Sequence, residues 1–196
     1  MRFGILGGTF NPIHWGHLLL AETARDELAL DRVLFVVANR PPHKRDRSLL
    51  PGAVRFELVK LAIRDHPAFV VSDLELQRAE VSYSLETVSI LRKQLPSAKL
   101  FLLMGQDMLT VPWKGWDHLK QWCTIVVAHR PGSSTPPRQA GLKWLTMPHL
   151  DISSSDIRRR LKAGRSIRYL VPAPVERYIQ QRGLYRKAFR QEAATP

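Results

Sequence analysis

Short apolar runs rich in branched residues alternate along this chain with longer stretches whose apolar positions recur at helical spacing. The runs at 3–6, 33–37, 70–72, 100–104 and 125–128 read as strands, and a further short one is expected at 143–145. Between and after them, 16–28, 52–65, 84–94, 154–162 and 174–181 read as helices. Gly164 and Gly183 fall just past two of these helices, where a residue of positive φ ends a helix. Alternation of this kind predicts an α/β fold built on a mainly parallel sheet with helices on both faces. In such sheets ligands gather at the C-terminal ends of the strands. That rule predicts that segments 7–17, 39–44 and 105–107, together with Arg130, lie on one side of the molecule although they are distant in sequence.

Composition narrows the class. A chain of 196 residues suits one domain, taken here as 1–186, with 187–196 expected to be a flexible tail. No apolar run approaches the roughly 20 residues that cross a bilayer. The first segment reads as a strand rather than a leader, so a soluble, cytoplasmic protein is expected. The single cysteine, Cys123, precludes an internal disulfide. It stands beside an apolar run, where a buried, inert thiol is expected rather than a nucleophile. The Pro/Gly/Ser-rich stretch 131–137 reads as a surface loop. A net charge of +13 suggests polyanionic partners, either the phosphates of a small substrate or a nucleic acid.

The segment Gly7-Gly8-Thr9-Phe10-Asn11-Pro12-Ile13-His14-Trp15-Gly16-His17 carries the strongest chemical signal. It reads as a strand end, a glycine-rich turn and a helix start. Glycine lets the backbone approach a ligand closely, and a helix N-terminus presents unpaired N–H groups with a positive partial charge. Histidines three positions apart share one helix face, so both imidazoles can address one anion. Neither G-x-x-x-x-G-K-[ST] nor G-x-G-x-x-G occurs in it, so it is not a Walker loop or a dinucleotide fingerprint. Far downstream, Ile152-Ser153-Ser154-Ser155-Asp156-Ile157-Arg158 places hydroxyls and an arginine at the start of a predicted helix. Two readings stand for it: serine N-capping, and a phosphate clamp.

Together these two segments resemble the T-x-x-x-x-H-x-G-H and I-S-[ST]-T-x-x-R signatures of the nucleotidyltransferase superfamily. Pro41-Pro42-His43-Lys44, Ser82-Tyr83-Ser84, Gly105-Gln106-Asp107, Trp113 with Trp116, His129-Arg130-Pro131-Gly132 and the ending 167–185 are similar to bacterial nicotinate-nucleotide adenylyltransferases. The likeness covers 3–185. It implies a Rossmann-like open sheet and transfer of AMP from ATP to nicotinate mononucleotide, giving deamido-NAD and pyrophosphate in NAD biosynthesis. It also implies Mg²⁺ arriving with ATP, with no dedicated metal cage. A zinc site at the histidine pair lacks a third ligand at suitable spacing.

The resemblance assigns expected roles. His14, His17, Lys44 and Arg158 are the catalytic candidates, His17 stabilising the α-phosphate in the transition state. Gly7, Gly8, Thr9, Phe10, Gly105, Asp107, Arg130, Ile152, Ser153, Ser154 and Ser155 join His14, His17 and Arg158 around ATP. Asp107 accepts ribose hydroxyls, caps the following turn, or does both; Arg130 lies near the adenine or triphosphate, or on the surface. Asn11, Asn39, His43, Lys44, Ser84, Trp113 and Trp116 are expected around the mononucleotide. Trp113 is the expected stacking partner of the pyridine ring, with Trp116 as the substitute, and core packing is the default for Trp122 and Trp144. Ser84 and Ser155 stand where relatives carry threonine, and Asn11 where many carry aspartate; hydrogen-bonding capacity survives at each.

Rival functions stay in view. Within the class, the acceptor is instead nicotinamide mononucleotide, phosphopantetheine or another phosphate. Outside it stands a basic nucleic-acid-binding protein, which no helix-turn-helix, zinc-finger or RNP-like pattern supports. The sequence leaves monomer and homo-oligomer open.

Overall fold

The computed structural model describes residues 1–40, 49–78, 81–129, 141–148 and 150–186. Six strands form one sheet: β1 (Arg2–Gly8), β2 (Arg32–Val37), β3 (Phe69–Ser72), β4 (Lys99–Gly105), β5 (Thr124–His129) and β6 (Leu142–Thr146). Their order is β3-β2-β1-β4-β5-β6, and every neighbouring pair is parallel. The order reverses between β1 and β4, which is where open α/β sheets leave a crevice for ligands.

The helices are α1 (Trp15–Glu27), α2 (Gly52–Ile63), α3 (Ser84–Gln94), α4 (Trp116–Trp122), α5 (Ser154–Lys162) and α6 (Ala173–Gln181). Alternate residues of each strand feed opposite faces. Phe101 and Leu103 of β4 join the core under α1, α2, α5 and α6. Leu100, Leu102 and Met104 join the one under α3 and α4. Helices on both faces of a parallel sheet are what the patterning predicts.

Observed strands run one or two residues past the apolar runs, because end residues such as Arg2, Lys99 and His129 pair in the sheet while their side chains meet solvent. Residues past Gly8 that the patterning leaves uncommitted include α4 and a 3-10 turn at Gln106–Thr110. A seven-residue helix has little stability of its own. It forms because Leu119 is fully buried, contributing about 2 kcal/mol, with Trp116 and Trp122 packed beside it. Gly164 and Gly183 adopt φ of +68° and +59° after α5 and α6, as expected for helix ends. Cys123 is buried, its thiol pushed up to about 12 by loss of solvent, and its Sγ donates to the Leu119 carbonyl at 3.2 Å. Trp122 and Trp144 both lean on the core. No helix among the described residues is long and apolar enough to cross a membrane. The loop expected at 131–137 and the tail at 187–196 lie outside the described residues.

Candidate active site

The chain leaves β1 at Gly8 and turns before α1, and the protein holds the carbonyls of that turn. Gly8 O accepts from Ala38 N at 2.9 Å, and Thr9 O from Arg55 Nη1 at 2.8 Å. Asn11 O accepts from Arg158 Nη1 at 2.9 Å, and Pro12 O from the Ser154 hydroxyl at 2.8 Å. In a planar trans peptide the C=O and the following N–H point in opposite directions. With Gly8 O on β2, the Thr9 N–H faces the β4 side, where strand order reverses. The Phe10 and Ile13 N–H groups are likewise turned away from the groups that hold Thr9 O and Pro12 O.

Phe10 sits at φ +45°, in the left-handed region. A left-handed residue in such a loop helps successive N–H groups converge on an anion. Its ring is buried against Phe35 and lies edge-on to His17, with centroids 5.1 Å apart. A Cβ on Gly8 would meet that ring at 2.7 Å, so only glycine fits.

His14 occupies the N-cap of α1 and His17 follows one turn later. Their rings lie 3.8 Å apart at 34°, and Gly16 leaves room for the His14 ring to lie over it. The His14 backbone N–H donates to His17 Nδ1 at 3.2 Å. An Nδ1 that accepts fixes the neutral imidazole with its proton on Nε2. His17 therefore carries an N–H donor on the nitrogen farther from the backbone.

At α5 the capping reading of the serine cluster holds for Ser153, while Ser154 serves a different partner. Ser153 is the N-cap, its Oγ accepting from Asp156 N at 3.1 Å and donating to Asp156 Oδ2 at 2.8 Å. Ser154 gives its hydroxyl to Pro12 O, so the first turn of α5 is fastened to the β1–α1 loop. Ser155 is exposed and accepts from Arg158 Nη2 at 3.5 Å, and Ile152 is half-buried just ahead of the cap. Arg159 turns aside to pair with Asp156, and Arg160 donates to Ser166 O.

The residues expected around the mononucleotide divide. Asn11 is 3% exposed, and its Oδ1 accepts from the Tyr185 hydroxyl at 2.8 Å and from Leu50 N at 3.3 Å. Asn39 is tied through its backbone N to Ser82 Oγ at 2.9 Å and through Nδ2 to Arg78 O at 2.6 Å. Ser84 opens α3. Trp113 and Trp116 are half-buried with rings 5.6 Å apart, and Trp113 Nε1 donates to Met108 O at 2.8 Å. The loop context of Trp113 therefore coexists with packing on the second core. Lys114 lies over the Tyr83 ring at 4.4 Å and pairs with Glu86, which also holds Arg78. These contacts fix the 113–116 loop to the start of α3.

At the end of β4, Gly105 takes the cap position of the 3-10 turn, so Asp107 lies inside its first turn with an exposed carboxylate. Capping is therefore not its task. His129 Nδ1 meets Gln106 Oε1 at 2.7 Å, tying the ends of β4 and β5 together. His43, Lys44 and Arg130 lie outside the described residues. Two residues at the site carry no expectation from sequence: Arg55, and the Tyr185 hydroxyl on Asn11. The one visible signal for Arg55 is a lone arginine between Val54 and Phe56 in an apolar helix.

Sheet order, oriented loop amides and joined signatures define a nucleotidyltransferase, and residues 5–160 match the cytidylyltransferase-like family. Curated relatives narrow this further. A Thermus thermophilus protein named probable nicotinate-nucleotide adenylyltransferase is 46% identical over 95% of this chain and 100% of its own length. One of the same name from Geobacter metallireducens is 41% identical over 94% of this chain and 98% of its own. The chain belongs to the nicotinate-nucleotide adenylyltransferase family. The solved Plasmodium falciparum nicotinic acid mononucleotide adenylyltransferase complexed with NaAD has the same fold, with a TM-score of 0.77 at 18% identity over 94% of this chain and 97% of that one.

Proposed function

We propose that residues 1–186 form one catalytic domain that transfers AMP from ATP to nicotinate mononucleotide, yielding deamido-NAD and pyrophosphate. A phosphate oxygen of the mononucleotide attacks the α-phosphorus in line. A new P–O bond forms as the bond from that phosphorus to the oxygen bridging the β-phosphate breaks, and the electron pair leaves with pyrophosphate. The acceptor is already an anion, so no protein nucleophile or strong base is required. What the chain supplies is position and charge stabilisation.

The observation that carries this reading is the convergence of both signatures on one loop: Arg158 on Asn11 O, Ser154 on Pro12 O, and His14 against His17. We assign the His17 Nε2–H to the α-phosphate oxygen that gains charge in the transition state, with His14 beside it. The N–H groups of Thr9, Phe10 and Ile13, the first turn of α5 and the guanidinium of Arg158 line the triphosphate, a combination suited to dense negative charge. Lys44 adds a cation there and Arg130 a second. The exposed Asp107 carboxylate accepts the ribose hydroxyls.

On the acceptor side, Trp113 stacks on the pyridine ring, held in place by its bond to Met108 O. Stacking does not separate acid from amide. Backbone N–H donors of the 39–43 and 109–116 loops meet the nicotinate carboxylate, and an amide would set its own N–H₂ against them. Asn39 acts by holding the start of the 39–43 segment through Ser82 and Arg78, and Asn11 by tying the loop after β1 to Leu50 and Tyr185.

Mg²⁺ fits as a companion of ATP. Ions of this kind take phosphate oxygens, water and at most one or two carboxylates. Among the described residues no three His, Cys, Asp or Glu side chains stand together to cage one. When bound, the ion neutralises charge on the polyphosphate. A pyrophosphate-release assay with ATP, Mg²⁺ and nicotinate mononucleotide tests the proposal, and release that requires the mononucleotide is the expected result.

A further inference from the structure

Arg55, in the first turn of α2, is 1% exposed. Its guanidinium meets three backbone carbonyls: Nε donates to Leu50 O at 2.9 Å, Nη1 to Thr9 O at 2.8 Å and Nη2 to Asn39 O at 3.4 Å. Among the described residues no carboxylate pairs with it. Burial draws the guanidinium below its ordinary pKa, and Tyr185 nearby opposes that effect. A cation at the positive end of a helix is disfavoured, and so is a charge taken out of water without a counterion. The three carbonyls offset these penalties, and an apolar residue here would leave all three without this donor.

The three carbonyls belong to three different parts of the site. Thr9 lies in the loop after β1, Asn39 in the segment after β2, and Leu50 just past the segment that contains Lys44. Leu50 is gripped twice, since its N–H also donates to Asn11 Oδ1 at 3.3 Å. Holding Thr9 O turns the Phe10 N–H the opposite way. The planar fork of arginine has fixed donor directions, which lysine lacks.

We propose that Arg55 is a positioning residue for adenylyl transfer: its fork sets the ATP-side loop and the acceptor-side segments at one spacing and aims the Phe10 N–H at the reacting phosphates. It touches no substrate. The inference rests on the adenylyltransferase reading, but its ATP arm stands without the identity of the acceptor.

The test compares the full chain with Arg55→Lys and Arg55→Gln, using thermal unfolding, ATP affinity by calorimetry, and steady-state turnover. Turnover is measured at a temperature where each protein is folded. In both variants kcat falls on the order of 10- to 100-fold, the effect of slight misplacement of reacting groups, and ATP affinity weakens by a smaller factor. Lysine, which keeps the charge and loses the fork, does not restore turnover. Wild-type kcat in either folded variant overturns the proposal, as does a loss confined to melting temperature. Backbone amide NMR of the wild-type chain supplies a second arm that needs no variant: the Thr9 and Phe10 resonances move on adding ATP or inorganic tripolyphosphate. Unmoved resonances also overturn the proposal. A wild-type chain that binds ATP but transfers nothing to a pyridine mononucleotide defeats the acceptor assignment instead, and leaves the amide and affinity comparisons to decide on Arg55.

Discussion

Arg158 Nη1 donates to the backbone carbonyl of Asn11 at 2.9 Å across 147 positions of sequence. One hydrogen bond thus joins the two signatures, and it leaves the rest of the guanidinium beside the first turn of α5. Arg158→Ala is expected to lower kcat/KM on the order of 100-fold by removing a charge contact to the leaving polyphosphate. It should also cost about 1–2 kcal/mol of stability through the lost bond to Asn11 O. Steady-state kinetics alongside chemical denaturation separates the two. A stability loss with unchanged turnover would make the residue purely structural.

His17 is the donor expected to matter most in the transition state. His17→Ala should reduce kcat on the order of 100-fold or more with a smaller change in ATP affinity. The hydrogen bond from His14 N to His17 Nδ1 also predicts a neutral ring protonated on Nε2 in the free protein. Nitrogen NMR of the imidazole reads that tautomer directly, and an Nδ1–H form would contradict the geometry.

How far the sequence reveals this site depends on the kind of signal each residue leaves. The strands, α3 and α5 follow from apolar periodicity, and the glycine-histidine segment stands out because turn chemistry and helix start coincide there. α4 leaves no such trace, since a seven-residue helix depends on burying Leu119 rather than on its own propensity. The serine cluster shows its hydroxyls in sequence, yet their division between cap and loop fastening depends on where Pro12 lies in space. Arg55 is hidden for the same reason: an arginine in an apolar helix says nothing of the three carbonyls that chain crossings bring to it. Asn11 and Asn39 are visible as polar residues at strand ends, but only the fold exposes their partners Tyr185 and Ser82.

Trp113 separates the substrates kinetically. Trp113→Ala should raise KM for the mononucleotide about tenfold, the scale of one lost ring stack, with KM for ATP nearly unchanged. Because Trp116 lies 5.6 Å away, the same measurement on Trp116→Ala decides which ring stacks. If both constants stay put in Trp113→Ala and the mononucleotide constant rises in Trp116→Ala, the assignment moves to Trp116.

The central claim is acid-specific adenylyl transfer, and pyrophosphate release with ATP and Mg²⁺ tests it most directly when nicotinate mononucleotide is compared with its amide analogue. The account predicts release that depends on the mononucleotide, with kcat/KM on the order of 100-fold or more higher for the acid, because the amide leaves loop donors unpaired. Equal rates with the two, or release with neither, would contradict it.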